Sequence, residues 1–183
     1  MELYLYLGIL FVFVGFLIVT YNKLITRKNG VTNAWANVGA LLQKRFDLVP
    51  NLVESVKGYT DHEKELLERV TKARTSWADD KDVKGAEKAE GEIAEVLKSV
   101  MAVGENYPDL KASNNFLALQ GELAGIEAKI AYARQRYNKN VMVYNITIQK
   151  FPVNLVAGMF GFQPEEFFEI EDSNIKEPVK VQF

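Results

Sequence analysis

The sequence predicts an all-α protein in which a single N-terminal transmembrane helix is followed by a long, mostly antiparallel cytoplasmic helical bundle. Three observations predict this class: an uncharged apolar run near the N-terminus, apolar residues that recur with helical spacing beyond it, and short polar connections between these segments. The chain has 183 residues, which is enough for one domain and an accessory segment. We divide it into a membrane anchor with a basic flank (1–28), a helical bundle (29–152) and a C-terminal tail (153–183).

The first element is the apolar run from Leu3 to Tyr21, which contains no charged residue. Its length is close to the roughly 20 residues that a spanning helix needs. A cleaved signal peptide and a buried core helix are the alternatives. A signal peptide begins with positive charge and ends at a small-residue cleavage site, whereas Glu2 precedes this run and no such site follows it. We therefore expect a retained membrane anchor.

The charges beside the anchor predict its orientation. Lys23, Arg27 and Lys28 follow the apolar run, and only Glu2 precedes it. Because Lys and Arg close to a span are retained in the cytoplasm, we expect the N-terminus outside and the bundle in the cytoplasm.

The next segment carries apolar residues three or four apart, which places them on one face of a helix. Pro50 interrupts this pattern, but the stripe keeps its phase, so we expect a bent helix and not a loop. Arg45 and Asp47 flank the proline and are expected to satisfy backbone groups that it frees. The residues of the stripe are Val31, Trp35, Val38, Leu42, Phe46, Val49, Val53 and Val56.

Two further helices precede the longest one. Thr60 and Glu63 have the spacing of a capping box, which predicts a second helix that runs to about Ala78. The polar stretch 79–85 is expected to be a connection, and the third helix is expected over residues 86–103, with Ile93, Val96, Leu97, Val100 and Met101 on one side.

The fourth helix is predicted over residues 110–151, with a seven-residue repeat typical of coiled-coil packing. Arg134, Arg136 and Asn138 lie on this helix and are expected to form a polar seam between helices, together with Asn145, or to dock a partner or an anionic head group. The apolar stripe consists of Phe116, Leu119, Leu123, Ile126, Ile130, Ala133 and Tyr137, and then shifts to Val141, Tyr144, Ile148 and Phe151.

The composition excludes most enzyme classes. The chain has no cysteine and a single histidine, so thiolate metal sites, cysteine nucleophiles and histidine pairs are not expected. His62-Glu63 begins like a zinc-binding H-E-x-x-H motif, but Leu66 stands where the second histidine is needed. Asp79, Asp80 and Asp82 lack the rest of a calcium-binding loop. The balance of 22 basic and 24 acidic residues predicts no broad affinity for nucleic acid. We predict no catalytic, cofactor-binding or metal-binding residue.

The tail combines aromatic and acidic residues. Phe160, Phe162, Phe167 and Phe168 are candidate apolar anchors beside several carboxylates. The tail is expected to be a strap on its own bundle, and docking on a neighbouring subunit or partner is the alternative.

Several motifs together resemble the LemA family over essentially the whole chain. One departure is Gly39, which stands where that family commonly carries an acidic residue. The motifs are Arg45-Phe46-Asp47-Leu48-Val49-Pro50-Asn51-Leu52-Val53, Val56-Lys57-Gly58-Tyr59, His62-Glu63, Tyr107-Pro108-Asp109-Leu110-Lys111-Ala112, Asn115-Phe116, Leu119-Gln120, Arg136-Tyr137-Asn138, Val141, Tyr144-Asn145 and Phe151-Pro152.

The resemblance implies a bacterial inner-membrane protein with one N-terminal span, a cytoplasmic helical bundle and no known reaction. The first hypothesis is a self-associating helical scaffold, a homo-oligomer that organises or remodels the membrane. The alternative is an adaptor or regulator of a membrane protein such as a stress protease. An enzyme is the third and least favoured class, and no cofactor is expected.

Overall fold

The computed structural model describes residues 1–59, 63–79 and 81–169. The expectations for Thr60, His62, Asp80 and residues 170–183 lie outside these ranges. The described residues form helices and no β-strand, so the all-α prediction is confirmed. The helices are α1 (Glu2–Ser55), α2 (Glu63–Asp79), α3 (Val83–Asn106), α4 (Pro108–Lys111), α5 (Asn114–Gln149) and α6 (Val153–Met159).

Helix α1 is continuous over 54 residues, or about 80 Å at 1.5 Å per residue. Its N-terminal part is apolar and exposed, and by length and composition it could cross a membrane. From Leu24 onward, one face of the same helix is buried. The candidate span and the first helix of the bundle are thus a single helix.

The predicted stripe of α1 forms part of the core. All its residues from Val31 to Val56 are buried except Trp35, which is partly buried and packs against the core. Pro50 lies inside α1, which continues to Ser55. The proline therefore does not open a loop, as its surviving apolar phase predicted.

Helix α5 lies antiparallel to α1. Trp35 packs on Tyr137 with ring centroids 5.1 Å apart, and further along α1 the Lys44 ammonium lies 3.7 Å from a carboxylate oxygen of Glu122. Near the other end, Lys23 and Thr147 line one cleft. The C-terminal end of α5 therefore lies beside the end of the candidate span.

The predicted stripe of α5 is buried from Phe116 to Ile148, with Leu119 partly buried. Two expectations for this segment are wrong. The short helix α4 is separate from α5, which begins at Asn114, and Phe151 is 80% exposed. Pro152 cannot donate a backbone hydrogen bond within a helix, and α5 ends at Gln149. The apolar pattern therefore extends two residues beyond the helix, to Phe151.

Helix α3 begins earlier than predicted. Asp82 is its N-cap, and its Oδ1 accepts a hydrogen bond from the Gly85 amide at 2.7 Å. Part of the polar stretch 79–85 is therefore helix and not connection. The predicted apolar side is buried, apart from the partly buried Met101.

Helix α2 approaches α1 closely at Gly39. A Cβ atom built there would lie 3.3 Å from Cζ2 of Trp77, and Trp77 also packs edge-on against Trp35. A larger residue at position 39, including an acidic one, would require Trp77 to move. The departure from the family pattern thus accompanies a close packing of the two helices.

Candidate interaction site

A buried charge cluster connects three helices. Arg45 on α1 and Glu90 on α3 are 5% and 7% exposed, and Arg45 Nη1 lies 3.4 Å from Glu90 Oε1. Arg45 Nε lies 2.8 Å from Oε1 of Glu127 on α5. Arg134, also on α5, forms an ion pair with the second oxygen of Glu90. Two arginines and two carboxylates therefore balance one another where α1, α3 and α5 meet.

Burial changes the electrostatics of both arginines. Loss of solvation lowers the pKa of Arg45, and the charge of Glu127 opposes this effect. Burial also lowers the pKa of Arg134 to about 10, an effect that Arg45 reinforces and Glu87 opposes. Both guanidinium groups remain charged at neutral pH, so Glu90 separates two cations that otherwise repel each other.

An open cleft of about 690 Å³ borders the cluster, with Lys84, Lys88 and Glu87 on its rim. In the parts of the chain that the structure describes, no group of three or more His, Cys, Asp or Glu side chains could hold a metal ion. The arrangement is a neutral network of ion pairs that fixes the helices relative to one another.

The C-terminal strap, residues 163–169, covers one side of this network. Phe168 is 2% exposed, and the guanidinium carbon of Arg134 lies 4.2 Å from the centre of its ring. Trp35 packs against the same ring, with ring centroids 6.0 Å apart, so Trp35 and Arg134 form a pocket around Phe168. Phe168 therefore combines apolar burial with a cation–π contact.

Two asparagines on α5 bind the main chain of the strap. Asn138 donates to the Phe168 carbonyl at 2.9 Å and accepts from the Phe168 amide at 2.9 Å. Asn145 does the same with Glu165, at 2.9 and 3.0 Å. Each asparagine thus satisfies both backbone groups of one strap residue.

Two tyrosines add hydrogen bonds of the same kind. Tyr137 donates to the Glu166 carbonyl at 2.8 Å, and Tyr144 donates to the Gln163 carbonyl at 2.9 Å. Burial, together with the charges of Glu165 and Glu166, raises the pKa of Tyr137 to about 12. The phenol therefore keeps its proton and remains a donor at neutral pH.

The spacing of these side chains matches that of the strap. Each Tyr-Asn pair is repeated after seven residues of α5, a rise of about 10.5 Å along the helix. Their partners in the strap are three residues apart, about 10 Å in an extended chain. We call Tyr137, Asn138, Tyr144 and Asn145 the Tyr-Asn ladder. It binds an extended backbone largely without regard to its side chains.

Only some of the predicted interaction residues meet at this site. Arg45, Arg134, Asn138 and Phe168 come together, whereas Arg136 is exposed. Arg45 and Asp47 were expected to serve the backbone beside Pro50, but the structure gives their side chains other partners.

Asp47 accepts a hydrogen bond from Gln43 at 3.0 Å and lies 3.3 Å from Arg74. In the tail, Phe162 is partly buried, and Phe160 and Phe167 are 52% and 45% exposed.

Sequence reasoning missed Glu90 and Glu127, because each is one of many acidic residues on an amphipathic helix. It also missed the role of Tyr137 and Tyr144, which were assigned to the core stripe alone. The repetition of the Tyr-Asn dipeptide after seven residues was a signal that could have revealed the ladder.

The fold and the site define a membrane-associated helical protein whose long helices are joined by a buried charge network and closed by a backbone-bound strap. The chain belongs to the LemA family, whose family model matches residues 34–183.

Similar proteins carry two kinds of name. Magnetosome protein MamQ 2 of Paramagnetospirillum magneticum is 25% identical, over 86% of this chain and 67% of its own length. Magnetosome protein MamQ of Magnetospirillum gryphiswaldense is 26% identical, over 85% and 67%. Protein LemA of Metamycoplasma hominis is 29% identical, over 80% of this chain and 66% of its own length.

Proposed function

We propose that this protein is a membrane-anchored, self-associating helical scaffold that organises or remodels the bacterial inner membrane. Its N-terminus lies outside and its bundle lies in the cytoplasm. The observation that carries the proposal is the continuity of α1 between the exposed apolar segment and the core of the bundle. Since a helix transmits orientation along its length, the bundle is held in a fixed direction relative to the bilayer. That is the property a scaffold needs.

The outer face of α5 supports self-association. It lies opposite the core stripe and carries mainly small or apolar residues. Tyr132 and Met142 are 62% and 46% exposed, and Cβ atoms built at Gly121 and Gly125 would meet nothing within 4 Å. Small residues allow a second helix to approach closely. We expect two copies of the chain to pack through this face.

The names of the similar proteins are consistent with a membrane role. Two of the relatives described above are named as magnetosome proteins. A protein that organises a membrane must itself assemble, and the assembly of this chain can be measured directly.

The test is the particle size of the full-length protein in mild detergent, by light scattering and particle imaging. We expect assemblies larger than a monomer, and we expect Ala128→Glu, on the exposed outer face of α5, to reduce their size. The matched control is Ala102→Glu at an exposed position of α3. Circular dichroism should show equal helicity for all three proteins. A monomeric parent, or equal effects of the two substitutions, would refute self-association through α5.

The Tyr-Asn ladder favours a second function, an adaptor that holds an extended segment of a membrane protein such as a stress protease. Because the ladder binds backbone groups, a partner segment can replace the strap without sharing its sequence. In this case the strap would occupy the site until a partner displaces it.

Deletion of residues 164–183 tests the adaptor. The truncated protein should bind a labelled peptide of residues 164–171 of this chain, as measured by fluorescence polarisation, and should still bind it when all residues except Pro164 and Phe168 are shuffled. The parent should bind the peptide weakly, since its own strap competes. Asn138→Leu in the truncated protein should abolish binding. Peptide binding that is absent, or that survives Asn138→Leu, would exclude this function of the ladder.

A further inference from the structure

We propose that α6 and the turn before it form a second membrane-contact site, which places apolar side chains in the headgroup region and holds an anionic phospholipid headgroup between α1 and α5. The proposal rests on the membrane anchoring proposed above. The apolar side chains are those of Phe151, Leu155 and Met159, together with Phe160 at the C-cap of α6. The basic residues are Lys23, Arg27 and Lys150.

The position of α6 beside the candidate span is the first argument. The ring of Phe160 lies 4.8 Å from that of Tyr21, the last residue of the apolar run, and α6 contacts α1. Leu17 is partly buried against the core that includes this region, and it lies about 6 Å closer than Tyr21 to the N-terminus of α1, within the apolar run. Interfacial helices place their apolar face about 5 to 10 Å into the headgroup and acyl boundary. This part of the molecule therefore lies at the depth of such a helix.

The exposure of this region is the second argument. Phe151, Leu155, Met159 and Phe160 are 80%, 59%, 69% and 52% exposed. Leu155 and Met159 are four residues apart and share one face of α6, whereas Val156 is buried in the protein. Exposed apolar clusters of this kind mark contact with a membrane or a partner. Because the cluster is continuous with the span, the occupant we infer is the bilayer itself.

The charges beside the cluster are the third argument. Lys23, Arg27 and Lys150 line a cleft of about 380 Å³ together with Val143, Ile146, Thr147 and Val153. None of these lining residues is acidic, and the three basic residues have no ion-pair partner within the part of the chain that the structure describes. Lys28, which follows Arg27 on α1 but does not line the cleft, does have one, with Glu165 at 3.8 Å. A cationic cleft with apolar walls, at a membrane surface, fits the phosphate and upper acyl chain of an anionic lipid.

Site-directed spin labelling tests the contact. The chain has no cysteine, so Leu155→Cys and Met159→Cys each give a single labelling site in the full-length protein. In nanodiscs of phosphatidylcholine and phosphatidylglycerol, both labels should be accessible to oxygen and shielded from a water-soluble nickel complex. Ala102→Cys is the matched control, because Ala102 is exposed on α3, close to Gly104, which packs on Phe116 at the opposite end of α5. Its label should be accessible to nickel.

A label at Phe11, which is 81% exposed within the apolar run, separates this inference from the proposed anchoring. If the Phe11→Cys label is accessible to nickel, the anchoring itself is wrong. If that label is shielded but those at positions 155 and 159 behave like the one at 102, the anchoring stands and the second membrane contact is refuted.

The headgroup is tested with spin-labelled lipids in the same nanodiscs. The protein should retain labelled phosphatidylglycerol in preference to phosphatidylcholine, and Lys150→Gln should lower this preference about fivefold, the effect of one basic residue at a membrane surface. Lys139→Gln, at an exposed position of α5 outside the cleft, should leave it unchanged. Equal retention of the two lipids, equal effects of the two substitutions, or displacement of the labelled lipid by millimolar inorganic phosphate would overturn the lipid assignment.

Discussion

Glu90 is the residue on which the buried charge network depends, because both arginines use its carboxylate. Arg45 and Arg134 approach its two oxygens from different helices. The desolvation of such charges is compensated only while every partner is present. Removal of one member is therefore expected to cost more than the small contribution of an ordinary surface ion pair.

Glu90→Gln should destabilise the bundle by about 3 kcal/mol, at the lower end of the cost of breaking a buried pair, because the network borders an open cleft. The neutral side chain leaves Arg45 and Arg134 next to each other without the anion between them. Chemical denaturation followed by circular dichroism measures the change. The control is Glu95→Gln at an exposed position on the same helix, which should change the stability by less than about 0.5 kcal/mol. Equal effects would mean that the network contributes little.

Tyr137 gives the strap a dependence on alkaline pH. Its folded-state pKa of about 12 lies above the ordinary value of 10.0, so its contribution is fully present below pH 10 and is lost as the pH rises from 10 to 12. Protection of the 163–169 amides against hydrogen exchange should fall in that window, after correction for the intrinsic rate. Tyr137→Phe, which cannot ionise, should show weaker protection at neutral pH and a smaller decrease in the window. The same decrease in both proteins would contradict this role.

At the residue scale, the sequence identified important side chains more successfully than it identified the groups that they contact. Arg134 and Asn138 were identified as polar residues on an apolar helix that must have partners. Their partners, Glu90 and the Phe168 backbone, are far away in sequence. A periodic pattern specifies the direction of a side chain on its own helix and carries no information on the element that faces it.

At the scale of elements, apolar spacing predicted the buried faces of α1, α3 and α5. Apolar residues that are three or four apart lie on one face of a helix, and that face is the one that is buried. The ends of the helices were less well predicted. They depend on local backbone bonding, such as the cap of α3 by Asp82, and not on apolar periodicity.

The contact between α3 and α5 depends on a glycine. A Cβ atom at Gly104 would lie 2.8 Å from the ring of Phe116, which is fully buried. Gly104→Ala should therefore destabilise the bundle by about 1 to 2 kcal/mol, since overpacking outweighs the better helix propensity of alanine. Thermal unfolding measures the effect.

Gly91→Ala is the control for that substitution. Gly91 is on the same helix, and a Cβ atom there would meet nothing within 4 Å. This change should stabilise the protein by about 0.5 to 1 kcal/mol. Stabilisation by both substitutions would show that Phe116 moves aside easily and that the contact is loose.

At the scale of the whole molecule, the sequence predicted a span and a bundle but not that they share one helix. The composition changes from apolar to polar after Tyr21, whereas the helix continues without interruption to Ser55. Thr20 and Leu24 are buried, and Leu24 belongs to the core, so the bundle begins where the apolar run ends. The two predicted parts are thus mechanically continuous.

The orientation of the whole molecule can be tested with reporters fused after Phe183. A fluorescent reporter that matures only in the cytoplasm should be active, and a phosphatase that needs export should be inactive, since Lys and Arg beside a span remain inside. Moving the charges of Lys23, Arg27 and Lys28 to the other side of the span should reduce this bias. The reverse activities in the parent would place the bundle outside and remove the cytoplasmic scaffold from consideration.

The match between seven helical residues and three extended residues has a consequence for the fidelity of docking. If the strap were displaced along α5 by three of its residues, carbonyls and amides of other residues would occupy the same positions at the Tyr-Asn ladder. The ladder alone therefore tolerates a slipped alignment. Side-chain contacts distinguish the correct alignment. The ion pairs of Glu165 with Lys28 and of Glu166 with Lys84 are largely exposed, whereas Phe168 is buried in the pocket of Trp35 and Arg134. Without that ring, for example in Phe168→Ala, the strap should exchange between alignments of similar energy, so its position along α5 is no longer unique.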